Sequence, residues 1–156
     1  MSVANDEALR RELPVVEIFD SVQGEGYYIG QLSTFVRLAG CNMEPPCIWC
    51  DTAYAQGGES GSPMTVAQII EQCRGTHVVI TGGEPLRHAR TVELCDQLYR
   101  RHKLVTLETN GTVYRPGIRW TCNLISVSPK LPSSGHRPDL EVVGQSVRVA
   151  NHFGSV

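Results

Sequence analysis

Apolar residues fall in short runs that stop at glycine-, proline- or polar-rich turns, the rhythm of buried strands alternating with amphipathic helices. Residues 15–19 and 34–38 read as strands. The first leads to Gln23-Gly24-Glu25-Gly26, and the second delivers the chain to Gly40 and Cys41. Residues 56–63 are rich in Gly and Ser and predict a loop. Thr65 then caps a helix whose Val66, Ile69, Ile70 and Cys73 share one face and which ends near Gly75. Residues 77–81 predict a buried strand, Gly82-Gly83 a turn, and residues 86–102 a helix with Val92, Cys95, Leu98 and His102 three or four apart. Further strands at 104–107 and 124–127 close on Glu108-Thr109-Asn110-Gly111 and Ser128-Pro129-Lys130. After the loop LPSSGHRPD, residues 142–149 read as weakly strand-like.

Strands alternating with helices imply an α/β fold with mostly parallel pairing. In such layers ligands gather beyond the carboxyl ends of the strands, so all of these polar motifs are expected at one edge. A chain of 156 residues suits one compact core, and residues 1–156 are expected to form a single domain.

A formal charge of -2 provides no electrostatic footprint for nucleic acid. The start, MSVANDEALRREL, lacks the apolar run of a signal peptide, and no segment approaches bilayer-spanning length. A cytoplasmic protein without nucleic-acid or membrane partners is the expectation. Six cysteines are then reduced thiols, cluster ligands or core residues rather than disulfide partners. Cys73, Cys95 and Cys122 are scattered through apolar surroundings and read as buried small hydrophobes. Cys41, Cys47 and Cys50 crowd together and read as a site.

Three thiolates on one loop hold three irons of a 4Fe-4S cluster and leave the fourth open to a small molecule. The loop CNMEPPCIWCDT departs from the usual Cys-x3-Cys-x2-Cys spacing by a longer first gap. Loop-closure entropy charges only about 0.4 kcal/mol for that, and Pro45-Pro46 restricts the unfolded chain. A structural zinc site stands as the alternative for these thiols, although His77, His88, His102, His136 and His152 show no ligand-like pairing.

With FD before it, SVQGEGYYIGQLSTFVRLAGCN, followed in order by CDT, ITGGEP, ETNGT and SVSPK, resembles the 7-carboxy-7-deazaguanine synthase family of radical S-adenosylmethionine enzymes. The likeness runs roughly over residues 15–130. It implies an incomplete TIM-like barrel and a carbon-nitrogen lyase of queuosine and 7-deazapurine biosynthesis. The implied reaction converts 6-carboxy-5,6,7,8-tetrahydropterin to 7-carboxy-7-deazaguanine, with a 5'-deoxyadenosyl radical taking hydrogen from the pterin and ammonia leaving after ring contraction. The resemblance assigns the cluster to Cys41, Cys47 and Cys50. It places S-adenosylmethionine near Trp49, Asp51, Gly83, Ser128, Pro129 and Lys130, and Mg²⁺ at Thr52. Substrate contacts go to Val22, Gln23, Gly24, Arg37 and Thr81. A flavodoxin-like electron donor is implied as well.

Several assignments carry a second reading. Gly82 and Gly83 would let backbone approach the methionine amino group. Glu84 either accepts from that ligand or caps the next helix. Glu108 and Asn110 suit ribose hydroxyls, while Asn110-Gly111 also reads as a turn. Arg37 would fork onto the substrate carboxylate or pair with Glu25 or Asp51. Thr52 is otherwise a helix or turn cap. Family members usually continue well past SPK, so the resemblance implies a sheet shortened at its carboxyl terminus, with an edge that a second copy of the chain would cover as a homodimer. The same shortening leaves room for a zinc or Fe-S binding module without turnover. A radical activase of a partner protein is the remaining alternative, but it has no evident need for QGEG and Arg37.

Overall fold

The computed structural model describes residues 3–150, and the side chains of residues 6–145. The regular elements in chain order are α1 (Val3–Arg10), β1 (Glu12–Val22), β2 (Leu32–Leu38), β3 (Ser62–Thr65), α2 (Val66–Gln72), β4 (His77–Gly82), α3 (Thr91–Tyr99), β5 (Leu104–Thr109), β6 (Leu124–Val127) and α4 (Leu140–Ala150). The strands form one sheet in the order β3-β1-β2-β4-β5-β6. β2, β4, β5 and β6 are parallel, whereas β1 runs antiparallel to both its neighbours. The sheet does not close on itself, and the result is an incomplete TIM-like barrel.

Alternation along each strand divides the sheet into two chemically distinct faces. Val36, Leu38, Val78, Ile80, Val105 and Leu107 point to one side and form the core with Val66 and Ile69 of α2 and Leu94 and Leu98 of α3. Thr65 caps α2 through a complete capping box with Gln68, as its sequence predicts. The opposite face carries Ser33, Phe35 and Arg37 of β2, then His77, Val79 and Thr81 of β4, then Thr106 and Glu108 of β5. β1 joins this pattern through a register shift between Val15 and Glu17. The irregularity reverses the parity of the strand: Val15 is a core residue, while beyond it Ile18 packs on the core and Glu17 and Phe19 turn to the other face.

Four expectations are corrected. Residues 142–149 belong to the helix α4, because the Asp139 side chain accepts from the backbone N–H of Glu141 and Val142 and so starts a helix despite the valines. The helix expected over 86–102 is only α3. Pro85–Arg87 is a separate 3-10 turn, and the Thr91 hydroxyl donates to the Pro85 carbonyl where the chain restarts. Part of the predicted 56–63 loop is strand β3, which pairs with β1 at the sheet edge. Finally, β1 is antiparallel, so Val22 pairs with Leu32 at the amino end of β2, and the Gln23 turn begins at the opposite end of the sheet from Cys41.

On the face opposite the helices, nearer the amino ends of the parallel strands, His77 is fully buried in a hydroxyl ladder. Its Nδ1 lies 2.7 Å from Ser33 Oγ and its Nε2 2.8 Å from Thr106 Oγ1, with the Tyr28 ring edge-on at 5.0 Å. Burial pushes the imidazole below its ordinary 6.5. Below pH 6.5 the unfolded chain takes up a proton that the folded protein refuses. Stability present above that pH is therefore lost as pH falls through the depressed native value. Denaturation midpoints measured on both sides of 6.5 should show this slope in the wild type and a smaller one in His77→Gln; equal slopes would rule out His77 as its source.

Candidate functional site

A polar row crosses the sheet near the carboxyl ends of the parallel strands. Glu17 pairs with Arg37 in register, Arg37 with Thr81, and Glu108 with Ser126. Thr81 closes the gap by donating to Glu108 Oε2 at 2.8 Å. Below the row lie Phe35 and Val79, so the polar groups stand on an apolar floor. Gln23 reaches this row although its loop starts at the other end. Residues 23–31 fold back over the open face, with Tyr28 against His77, and Gln23 Nε2 donates to Glu108 Oε1 at 2.9 Å. Thus Gln23, Arg37, Thr81 and Glu108 are brought together. Val22 and Gly24 are exposed residues of the hairpin end and are not gathered with them.

Arg37 is committed at one edge. Its Nε donates to Glu17 at 2.7 Å, so its ion-pair partner is neither Glu25 nor Asp51. The guanidinium holds the Glu17 carboxyl below the usual carboxylate range, and Glu17 in turn pushes up the Tyr54 hydroxyl that donates to it.

The glycines at the end of β4 serve the backbone rather than an open cradle. A Cβ on Gly82 would overlap the Leu38 backbone, and one on Gly83 would come within 2.5 Å of the Gly40 carbonyl and 2.7 Å of the Cys41 nitrogen. Glycine at both positions lets the end of β4 press against the strand that delivers Cys41. Gly83 N–H donates to Leu38 O and Glu84 N–H to Gly40 O, which fixes the base of the cysteine loop.

Glu84 is fully buried and lies in the cap position of the Pro85–Arg87 turn. Its carboxylate accepts from Leu86 N and Thr109 Oγ1 at 2.9 Å and from Asn110 N at 2.7 Å. Burial pushes its carboxyl up, while these donors oppose the shift. Its oxygens thus serve the ends of β4 and β5, which is the capping alternative rather than ligand contact. Asn110 follows the turn reading: its Oδ1 accepts from Thr112 N and Oγ1, Gly111 is left-handed at φ 76°, and Asn110 Nδ2 donates to Asn42 in the cysteine loop.

Cys41, Cys47 and Cys50 are unpaired and half-buried. Cys41 N–H is tied to Gln56 O, Cys50 N–H to Cys47 O, and Arg87 Nη1 donates to Cys41 O. Burial raises the Cys41 thiol above its ordinary value. Among the described residues, no three His, Cys, Asp or Glu side chains are placed to hold one metal ion. The three free thiols on one loop are nonetheless the donors that a thiolate-bound cluster takes in kind. Thr52 makes no side-chain cap; its hydroxyl lies 3.7 Å from Cys50 Sγ.

The strand-end segment after β6 clasps the same loop. Trp49 Nε1 donates to Ser133 O at 2.9 Å, Ile48 N–H donates to Ser134 O, and the Lys130 ammonium stands 5.5 Å from the Trp49 ring centroid. Ser128 N–H donates to Thr109 O, and Lys130 Nζ donates to Ser128 Oγ, so Ser128, Pro129 and Lys130 share this edge with Gly83. Asp51, next in sequence to Cys50, is exposed. Sequence reasoning missed Glu17, Asn42, Tyr54 and Ser133. Only Glu17 carried a signal, a lone acid inside the apolar run 15–19.

Fold and site together define a partial-barrel α/β protein with a three-cysteine loop at the carboxyl end of its first parallel strand, over a polar row on the helix-free face. No protein-family model matches the chain. It is 40% identical over 144 residues to a 7-carboxy-7-deazaguanine synthase of Halobacterium salinarum, covering 90% of this chain and 54% of that protein. To one of Rhodopirellula baltica it is 44% identical over 130 residues, covering 81% and 49%. To one of Bacillus subtilis it is 35% identical over 136 residues, covering 81% and 55%. The crystal structure of QueE from Escherichia coli matches with a TM-score of 0.75 at 28% identity, covering 97% of this chain and 73% of that one. The chain is a relative of the 7-carboxy-7-deazaguanine synthases, and it spans about half the length of the curated relatives it matches.

Proposed function

We propose that this protein is a radical S-adenosylmethionine carbon-nitrogen lyase that converts 6-carboxy-5,6,7,8-tetrahydropterin to 7-carboxy-7-deazaguanine with loss of ammonia. The observation that carries the reading is the row of Gln23, Arg37, Thr81 and Glu108 on the helix-free face, at the same end of the sheet as Cys41. Arg37 offers a fork for the pterin carboxylate. Gln23 and Thr81 orient the Glu108 carboxylate as an acceptor for ring N–H groups, so the site binds and aims the substrate rather than acting on it as a strong acid or base.

Cys41, Cys47 and Cys50 would hold a 4Fe-4S cluster, with S-adenosylmethionine between Trp49, Asp51, Gly83 and the 128–130 segment, and Mg²⁺ at Thr52. When bound, such a cluster supplies the electron that cleaves S-adenosylmethionine and starts the radical chemistry. Glu84 takes a positioning role behind this edge. An external reductant of flavodoxin type and a second copy of the chain complete the assembly. No helix among the described residues is long and apolar enough to cross a membrane.

Anaerobic reconstitution with iron and sulfide tests the reading. The expected result is a coloured protein with visible thiolate-to-iron absorption, perturbed on adding S-adenosylmethionine, that turns over the carboxypterin. Cys41→Ser, Cys47→Ser and Cys50→Ser should each lose the colour. A colourless chain purified with stoichiometric zinc would defeat the proposal.

A further inference from the structure

Arg37 is held in place more elaborately than an ion pair requires. Glu17 Oε1 accepts both from Arg37 Nε at 2.7 Å and from the Tyr54 hydroxyl at 2.9 Å. The guanidinium carbon also lies 5.8 Å from the centroid of the Phe19 ring and 5.7 Å from that of Tyr54, within cation–π range of both. The Arg37 side chain is 14% exposed and that of Glu17 40%. The pair is thus part-buried on the arginine side and open to water on the carboxylate side, and its geometry is the property to explain. A guanidinium whose Nε is spent and whose plane is fixed by rings keeps its terminal nitrogens as the remaining edge, and that edge can meet a carboxylate bidentately.

We propose that Glu17 and Tyr54 are positioning residues that aim the terminal nitrogens of Arg37 at the carboxylate of a ligand bound on the helix-free face. The proposal rests on the functional reading only in taking that ligand to be a carboxylated pterin. Tyr54 belongs to the Ala53–Ala55 turn just after Cys50, Asp51 and Thr52, and Ala55 O accepts from Gly40 N–H at the base of the cysteine loop. The same hydroxyl therefore links the cysteine loop to the substrate arginine.

Equilibrium binding of pterin-6-carboxylate and of unsubstituted pterin, followed by ligand fluorescence, tests the proposal without turnover. The wild type should prefer the carboxylate, and Arg37→Gln should abolish the preference. Glu17→Ala should lower it about tenfold, the scale of one well-made charge-assisted contact, and Tyr54→Phe less. Affinity for unsubstituted pterin should not change in either. Glu17→Gln, which retains the acceptor oxygen, should keep most of the preference. In ¹⁵N spectra of the ligand-free protein, the Arg37 Nε–H should be protected from exchange in the wild type and in Glu17→Gln, and unprotected in Glu17→Ala. A preference unchanged or increased in Glu17→Ala, with Arg37→Gln still losing it, would overturn the positioning role and leave the function intact. No preference in the wild type would overturn both.

Discussion

Replacing Glu84 with glutamine should lower stability by about 3 kcal/mol, because a buried carboxylate that accepts from a backbone N–H on each oxygen cannot be replaced by an amide without stranding a donor. Its oxygens face Leu86 N–H and Thr109 Oγ1 on one side and Asn110 N–H on the other. In either orientation of a glutamine, its NH₂ would oppose at least one backbone N–H. Thr109 Oγ1 also accepts from Gly111 N–H, so the disturbance spreads into the turn that presents Asn110. For a chain of this size the loss corresponds to a melting temperature lower by roughly 6–12 °C. Calorimetry or thermal denaturation of the two proteins in the same buffer measures it. A variant melting within about 1 °C of wild type would show that the three donors do not depend on the charge.

Gly83→Ala should be at least as damaging. The new Cβ would stand 2.5 Å from the Gly40 carbonyl carbon and oxygen and 2.7 Å from the Cys41 nitrogen, all backbone atoms that no rotamer change can move aside. Relief requires the ends of β2 and β4 to separate, at a cost of about 3 kcal/mol or more. That separation displaces Cys41 itself, so any folded fraction should also take up less iron on reconstitution than the wild type. Gly58→Ala, whose Cβ would meet nothing within 4 Å, is the control and should stay within about 0.5 kcal/mol of wild type. Normal stability and iron content in Gly83→Ala would mean that the close approach is not needed to seat the loop.

These two expectations mark where sequence reading fell short. GGEP was legible as a strand-to-helix turn, but its glycines were read outward, towards a ligand, and its acid either outward or as the cap of the next helix. The structure turns both inward, the glycines against the strand before Cys41 and the acid into a cap shared with β5. No spacing rule reveals this, since the glycine contacts join residues more than forty positions apart and the contacts of the acid with β5 join residues 25 and 26 apart. The antiparallel course of β1 was hidden for a related reason: an apolar run has the same pattern in either direction. Its bulge, which turns Glu17 and Phe19 to the open face, depends on pairing with β2. α4 was misread on its valines although Asp139, directly before it, carried the capping signal.

The sequence by itself determined the strands 34–38, 77–81, 104–107 and 124–127, the α2 helix with its Thr65 cap, and the relationship carried by QGEG, CDT, GGEP, ETNGT and SPK. Those features are written in periodicity, capping residues and local order along the chain. Only the tertiary structure decided that Gln23 crosses the sheet to meet Glu108, that Arg37 leans on Glu17 and Tyr54, and that Trp49 is clasped by Ser133. Each of these contacts forms between strands or loops brought together by burial of the helix-facing core, and a linear pattern records which residues can bury, not which partners they will find.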